Sequence, residues 1–111
     1  ATTQVVYDED SWEMYKSHMA TVLPFRHVDF SQTMVAFVAI PVASGGVTVQ
    51  IESVELASGE LIVEYLMGVP GPDCRVIDTP SVPFQAVYLR RIEDVPVRFE
   101  HRTELQPCTL R

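Results

Sequence analysis

The chain has 111 residues, of which 47% are hydrophobic and 21% charged, a balance typical of a globular domain rather than a disordered segment. Its net charge of −7 argues against binding to nucleic acid or to an anionic membrane, because both require dense Lys and Arg patches. No apolar run approaches the roughly 18 to 20 residues of a spanning helix, so no membrane insertion is expected. The length predicts one domain, residues 1–111.

The N-terminal part predicts a short strand and a helix, together spanning about residues 4–23. Gln4–Tyr7 is β-prone, and Asp10 with Glu13 three positions later resembles a capping box. Apolar side chains then recur at spacings of three and four, as in an amphipathic helix that ends at Pro24. This stripe consists of Trp12, Tyr15, Met19 and Val22. We predict that the first two anchor the helix in the core, the alternative being an exposed aromatic platform for sugar or peptide.

The rest of the chain, about residues 33–103, predicts a β core. Thr33–Ile40 is continuously apolar, as expected of a central strand covered on both faces. The segment from Val47 alternates between apolar and polar residues until the phase slips, which predicts a β-bulge near Glu52–Ser53. Ala57–Glu60 predicts a hairpin turn. Further strands are predicted at Leu61–Met67, Gln85–Leu89 and Val97–Arg102.

These elements define the expected fold class. Strands that follow one another through short turns predict antiparallel pairing. The sequence therefore predicts a mainly β, α+β fold: an antiparallel sheet, small β-sandwich or half-barrel with one short N-terminal helix packed on it. An exposed edge strand of such a fold could mediate a homodimer by strand addition.

The sequence shows no catalytic machinery. His18, His27 and His101 fall in a helix, a loop and a strand, and no serine lies in a Gly-x-Ser-x-Gly motif. His27 and Asp29 are two positions apart, but no His-x-x-x-His motif or acidic loop accompanies them, and the carboxylates are scattered. We therefore expect no enzyme activity, no metal and no cofactor. An enzyme would bring at least two of His27, Asp29, Cys74 and His101 into one cleft.

Two glycines and two cysteines allow more than one interpretation. Gly45–Gly46 precedes a strand rather than a helix and is not a phosphate loop. It predicts a turn with positive φ at a close approach of strands, in a twisted antiparallel hairpin, the alternative being a backbone-mediated binding loop.

Cys74 and Cys108 form no Cys-x-x-Cys motif. In a secreted chain they would form a disulfide contributing roughly 3–4 kcal/mol, and otherwise they are two free thiols.

An ordered series of motifs covers about residues 28–98. The series contains Asp29–Val35, Gly45–Ile51, Leu61–Tyr65, Pro70–Cys74 and Thr79–Pro83. In this order it resembles the C-terminal domain of PrcB-type protease-complex proteins. The chain departs from the family pattern at Val47 and Phe84, where the family often has tyrosine.

The resemblance implies a bacterial, extracytoplasmic, non-catalytic domain that accompanies or stabilises a secreted protease. Such a location would also suit a disulfide between Cys74 and Cys108. We expect contacts with a protein partner at the proline- and glycine-rich loops. The candidate contact residues are Ser44, Gly45, Gly46, Pro70, Gly71, Pro72, Pro80 and Pro83.

Two alternative functions are compatible with the sequence. One is protease inhibition, in which the glycine-rich loop enters a protease cleft as in the chagasin-like inhibitors. The other is a carbohydrate-binding module, which needs exposed planar aromatic side chains. Its candidates are Trp12, Tyr65, Phe84 and Tyr88.

Overall fold

The computed structural model describes residues 2–17, 27–43, 45–72, 74–75 and 79–107. These residues confirm the expected mainly β, α+β class. No helix among them is long and apolar enough to cross a bilayer. The elements are β1 (Thr2–Val6), α1 (Glu9–Ser17), β2 (Thr33–Ala39), β3 (Thr48–Ala57), β4 (Glu60–Pro70), β5 (Phe84–Arg90) and β6 (Val97–Gln106).

The strands of the described part form two three-stranded sheets. Sheet I has the order β1-β2-β5 and is antiparallel throughout. Sheet II has the order β3-β4-β6, in which β3 is antiparallel and β6 is parallel to β4. The expectation of antiparallel pairing is therefore wrong for β6. After β4 the chain crosses to sheet I, where it forms β5, and then crosses back to sheet II. The two crossings allow β6 to run in the same direction as β4.

β2 is the central strand, as predicted. On one face Val35 and Phe37 pack beneath α1 together with Trp12, which is 1% exposed. The Trp12 and Phe37 rings meet edge to face with centroids 6.1 Å apart. On the other face Met34 packs with Leu61 of sheet II. The protein thus has three layers: the helix, sheet I and sheet II.

α1 confirms part of the predicted helix and corrects its start. Trp12 is its core anchor, and Tyr15 is half-buried against the same cluster. The helix begins at Glu9 because Ser11 N donates to Asp8 Oδ1 at 2.7 Å, which makes Asp8 the N-cap. The predicted capping box at Asp10 is wrong, since Asp10 lies within the first turn. Met19, Val22 and the predicted end at Pro24 lie outside the described residues.

The β3–β4 hairpin forms as the sequence predicts. Its two turn residues, Ser58 and Gly59, both have positive φ, at 53° and 77°, as a type I′ turn requires. The register shifts between Ile51 and Ser53, which confirms the bulge at Glu52. The bulge returns the apolar side chains of β3 to the inner face of sheet II.

β4 is longer than predicted and continues through Pro70 into the expected loop. Gly68 makes this possible, because a Cβ there would contact Thr48 Oγ1 and lie 3.1 Å from Gln106 Cγ. Odd-numbered residues of β4 donate toward β6, as Leu61 N does to Pro96 O at 2.9 Å. The N–H of an even-numbered residue such as Pro70 would therefore face β3. β3 begins at Thr48, opposite Gly68, so it has no residue opposite Pro70. Proline consequently costs no ladder hydrogen bond.

The Asp8 cap gives a pH-dependent prediction. Hydrogen bonds from the backbone and side chain of Ser11 lower the pKa of Asp8. A carboxyl whose pKa is lower in the folded state stabilises the fold above its unfolded-state pKa, and this contribution is lost as the pH falls through the folded-state pKa. We expect Asp8→Ala to lower the melting temperature at neutral pH, with the difference from the original chain shrinking below about pH 4.

Asp8→Asn is the matched control, because its amide oxygen can accept the same hydrogen bond and it caps helices about as well as aspartate. Its melting temperature at neutral pH should stay close to that of the original chain. Thermal unfolding followed by circular dichroism between about pH 7 and about pH 2.5 measures both effects. An Asp8→Ala deficit that is the same at every pH would contradict a role for the carboxylate.

Candidate functional site

Two of the predicted contact loops, Pro41–Gly46 and Thr79–Pro83, are joined at one end of sheet I. Val42 and Ser81 form an antiparallel bridge, with N–H to carbonyl distances of 2.9 and 3.0 Å. Ile40 N also donates to Pro83 O at 3.0 Å. We call this part of the surface, residues 40–47 and 79–83, the loop end. Ser44 is the one predicted contact residue of the loop end that lies outside the described part.

Gly46 has a φ of 89°, which confirms the predicted turn with positive φ. The predicted hairpin at this turn is wrong, because β3 pairs with β4 and the turn carries the chain from sheet I to sheet II. β2 could not have paired with β3, since both of its edges are occupied by β1 and β5.

Two apolar clefts flank Val82 at the loop end. The helix-side cleft, of about 310 Å³, lies between α1 and sheet I. It is lined by Thr2, Met14, Tyr15, Phe37, Ala39, Pro41 and Val82. The strand-side cleft, of about 600 Å³, lies between β3 and β5. It is lined by Val47, Thr48, Val49, Val82, Pro83, Phe84, Gln85, Ala86 and Tyr88.

The lining of the two clefts has two notable properties. None of the residues named above carries a charge. Val82 and Met14 are also 44% and 49% exposed, which is high for apolar side chains beside a core. Sequence reasoning selected the prolines and glycines of these loops and missed both residues. Two features of the sequence could have indicated their exposure. Met14 lies off the apolar stripe of the helix, and Val82 lies in a loop between Ser81 and Pro83.

Gln85 spans the space between the two sheets. Its side chain points from sheet I toward sheet II, where Oε1 accepts a hydrogen bond from Ile51 N. The backbone N–H of Ile51 points to the open edge of β3, where a neighbouring strand would normally accept its hydrogen bond. Here the Gln85 side chain accepts it instead. This contact holds β3 and β5 beside each other as the two walls of the strand-side cleft.

The candidate chemical residues lie away from the clefts. Asp29 Oδ1 accepts hydrogen bonds from the hydroxyl of Ser31 at 2.6 Å and from its backbone N–H at 3.0 Å, and these bonds lower the pKa of Asp29. His101 lies on β6 and stacks on Tyr65 with ring centroids 5.3 Å apart. Neither apolar cleft is lined by His27, Asp29, Cys74 or His101. Within the described ranges no group of three His, Cys, Asp or Glu side chains could hold a metal ion. His18 lies outside them.

The loop after β4 is held against the end of β6. Gly71 N donates to Gln106 O at 3.2 Å, and Cys74 N donates to Gly71 O at 3.0 Å. Cys74 Sγ lies 4.0 Å from Gln106 O, two residues before Cys108 in the chain. Cys108 itself lies outside the described residues, so its pairing with Cys74 stays a prediction.

The aromatic candidates for carbohydrate binding are mostly covered. Trp12 and Tyr65 are 1% and 7% exposed, so both rings are buried, although Tyr65 also lines a polar cleft beside His101. Phe84 and Tyr88 are half-buried and line the strand-side cleft. The carbohydrate alternative therefore depends on the last two residues.

Arg91 is a structural cross-link that no local sequence pattern indicates. Its Nη1 donates to the carbonyls of Tyr7 at 2.7 Å and Phe30 at 2.8 Å. Its guanidinium also lies over the Tyr7 ring, 5.3 Å from the centroid. These contacts join the end of β1, the loop before β2 and the end of β5.

We expect Arg91→Ala to lower the free energy of unfolding by about 1.5 to 3 kcal/mol, because two carbonyls lose a charged donor. Arg91→Lys should recover only part of this loss, since an ammonium group cannot reproduce the planar fork and the stacking on Tyr7. Arg90→Ala, at the exposed neighbouring position, is the control and should stay within about 0.5 kcal/mol. Urea denaturation measures all three; equal losses for Arg90→Ala and Arg91→Ala would contradict the cross-link.

No protein-family model, no curated protein and no solved structure matches the chain.

Proposed function

We propose that the chain is a non-catalytic binding domain whose loop end contacts an apolar segment of a protein partner. The observation that carries this proposal is the exposed Val82 between two apolar clefts whose lining residues are uncharged. A concave, mostly apolar surface with a few polar groups is the usual form of a binding site. An occupant bearing charge would lose its hydration in these clefts without gaining an ion pair.

The composition of the loop end and the backbone bridge within it favour a protein as the occupant. The cores of protein interfaces are enriched in aromatic residues and methionine and depleted of charge, as in the lining formed by Met14, Tyr15, Phe37 and Phe84. The backbone bridge between Val42 and Ser81 fixes the two loops before binding. Such preorganisation reduces the entropy cost of forming a complex.

The partner class that we propose is a secreted protease, which the domain stabilises or modulates. Support for this class comes from the ordered motifs that resemble the C-terminal domain of PrcB-type proteins. The same resemblance is the basis for proposing an extracytoplasmic location. The closeness of Cys74 Sγ to the end of β6 supports the proposed Cys74–Cys108 disulfide, which such a location would permit.

Binding should be measured by biolayer interferometry against a panel of purified secreted proteases. We expect Val82→Asp to weaken binding by about tenfold or more, because it places an unpaired carboxylate between the two clefts. Leu56→Asp is the matched control: Leu56 is also exposed, at 54%, but lies at the other end of sheet II, and its replacement should leave affinity unchanged.

Protease activity measured in the same samples separates the possible modes of action. A stabilising domain lengthens the half-life of the protease without lowering its initial rate, whereas an inhibitor lowers the rate. Absence of binding to every protease at tens of micromolar would overturn the proposed partner class. Equal losses from Val82→Asp and Leu56→Asp would overturn the loop end as the contact surface. Binding of a soluble polysaccharide that Phe84→Ala abolishes would favour the carbohydrate alternative.

The proposed disulfide has a separate test. We expect no free thiol when the unreduced protein is titrated with a thiol reagent under denaturing conditions. Reduction should then lower the melting temperature, because it releases the chain-entropy constraint that a disulfide places on the unfolded state. Two reactive thiols in protein purified from an oxidising compartment would contradict the pairing of Cys74 with Cys108.

A further inference from the structure

β6 forms an open edge of sheet II along its whole length of ten residues. It pairs with β4 from Val97 to Gln106 without a register shift. The carbonyls of Pro96 and Gln106 accept hydrogen bonds from β4 and the residue after it, so the even-numbered residues of β6 face β4. The odd-numbered residues, from Val97 to Leu105, therefore direct their N–H and C=O groups away from the sheet. No backbone hydrogen bond from the described residues reaches that side.

Two of the other three edge strands, β1 and β3, have protection that β6 lacks. β1 is only five residues long. β3 is interrupted by the bulge at Glu52 and is contacted by Gln85 at Ile51. Short length, bulges and covering segments are among the means by which proteins prevent edge pairing, and charged side chains are another. β6 is long and regular, and it contains no proline.

The outer face of β6 carries charges of alternating sign. These are Arg98, Glu100, Arg102 and Glu104. The register with β4 does not account for the alternation, since Glu100 lies opposite Glu64, a like charge, and Glu104 lies opposite Gly68. Each arginine forms an ion pair with the glutamate two residues later on β6, Arg98 with Glu100 and Arg102 with Glu104. Each also pairs with a glutamate of a neighbouring strand, Glu60 or Glu52, and all of these groups are a third or more exposed. Exposed ion pairs of this kind contribute little to stability.

We propose that β6 pairs antiparallel with β6 of a second copy of this chain, about a two-fold axis at His101. Arg98 then lies opposite the partner's Glu104, and Glu100 opposite the partner's Arg102. The odd-numbered residues form the hydrogen-bonded pairs, which is what their outward N–H and C=O groups require. The charged residues form the alternate pairs, in which opposing side chains are closest.

The charges select this register from its neighbours. An axis at Glu100 places Arg98 opposite the partner's Arg102 and Glu100 opposite itself. An axis at Arg102 places Glu100 opposite the partner's Glu104 and Arg102 opposite itself. Like charges directly opposite one another destabilise a strand pair. Moving the axis further shortens the overlap of the two strands.

The same register covers an exposed apolar side chain. Leu105 is 66% exposed, the most exposed large apolar residue of the described chain. Val97 and Leu105 lie on the same face of β6, and the two-fold pairing brings Leu105 opposite the partner's Val97. Backbone hydrogen bonds and this contact supply affinity, while the charges fix the register.

Charge exchange tests the proposal by sedimentation velocity over a range of concentrations. The original chain should form a dimer of twice 12.5 kDa. E100R and R102E should each raise the dimer dissociation constant about tenfold or more, since each creates two like-charge pairs across the axis. An equimolar mixture of E100R and R102E should restore the dimer, because every pair in the heterodimer again has opposite signs.

Three further variants control for folding and for position. E55R makes the same change of charge as E100R on the outer face of sheet II, but on β3, and should leave the dimer intact. V82D, at the loop end, should also leave it intact. T103P removes an outward N–H without removing a bond to β4, so it should give a monomer with a native circular dichroism spectrum.

A chain that stays monomeric at about 100 µM would overturn the dimer. A dimer that both E100R and R102E leave unchanged would overturn β6 as its interface. If the single variants are monomeric and their mixture stays monomeric, the proposed register is overturned. None of these results bears on the loop end, whose test uses a different partner and different variants.

Discussion

The architecture depends on the complete burial of β2. Both of its faces are covered, by α1 on one side and by sheet II on the other, and both of its edges are paired, with β1 and β5. A continuously apolar strand is stable in water only under this arrangement. The chain that leaves β2 therefore finds no vacant edge on β2 itself, and it begins a second sheet. The turn at Gly46 makes this crossing, and the loop end forms where the crossing meets the segment entering β5.

Features that depend on neighbouring residues were predictable from the sequence, and those that depend on strand pairing were not. Alternation located β3 and its bulge, and Ser58-Gly59 located the hairpin, because each is a property of a few consecutive residues. The parallel alignment of β6 required knowing that β5 joins the other sheet. The extension of β4 through Pro70 required knowing where β3 begins. Arg91 contacts carbonyls 84 and 61 positions away, and no local pattern indicates such contacts.

The candidate site shows the same division. Proline and glycine indicated the two loops of the loop end correctly, because these residues commonly interrupt strands. They failed at Gly68 and Pro70, which lie within β4. The exposed apolar residues within and beside the loops were missed, since exposure is decided by what packs nearby. Met14 and Val82 come from distant parts of the chain and share one cleft only because α1 lies on sheet I.

The two proposed surfaces differ in what each kind of interaction can provide. Apolar clefts supply affinity but tolerate a range of occupants, whereas alternating charges on a strand distinguish one register from its neighbours and add little affinity. An open edge strand normally invites unlimited addition of further chains. A two-fold pairing of β6 uses that edge on both copies, so the joined sheet ends at two copies of β3. Because the bulge at Glu52 and the contact from Gln85 protect β3, the proposed assembly through sheet II would stop at two copies.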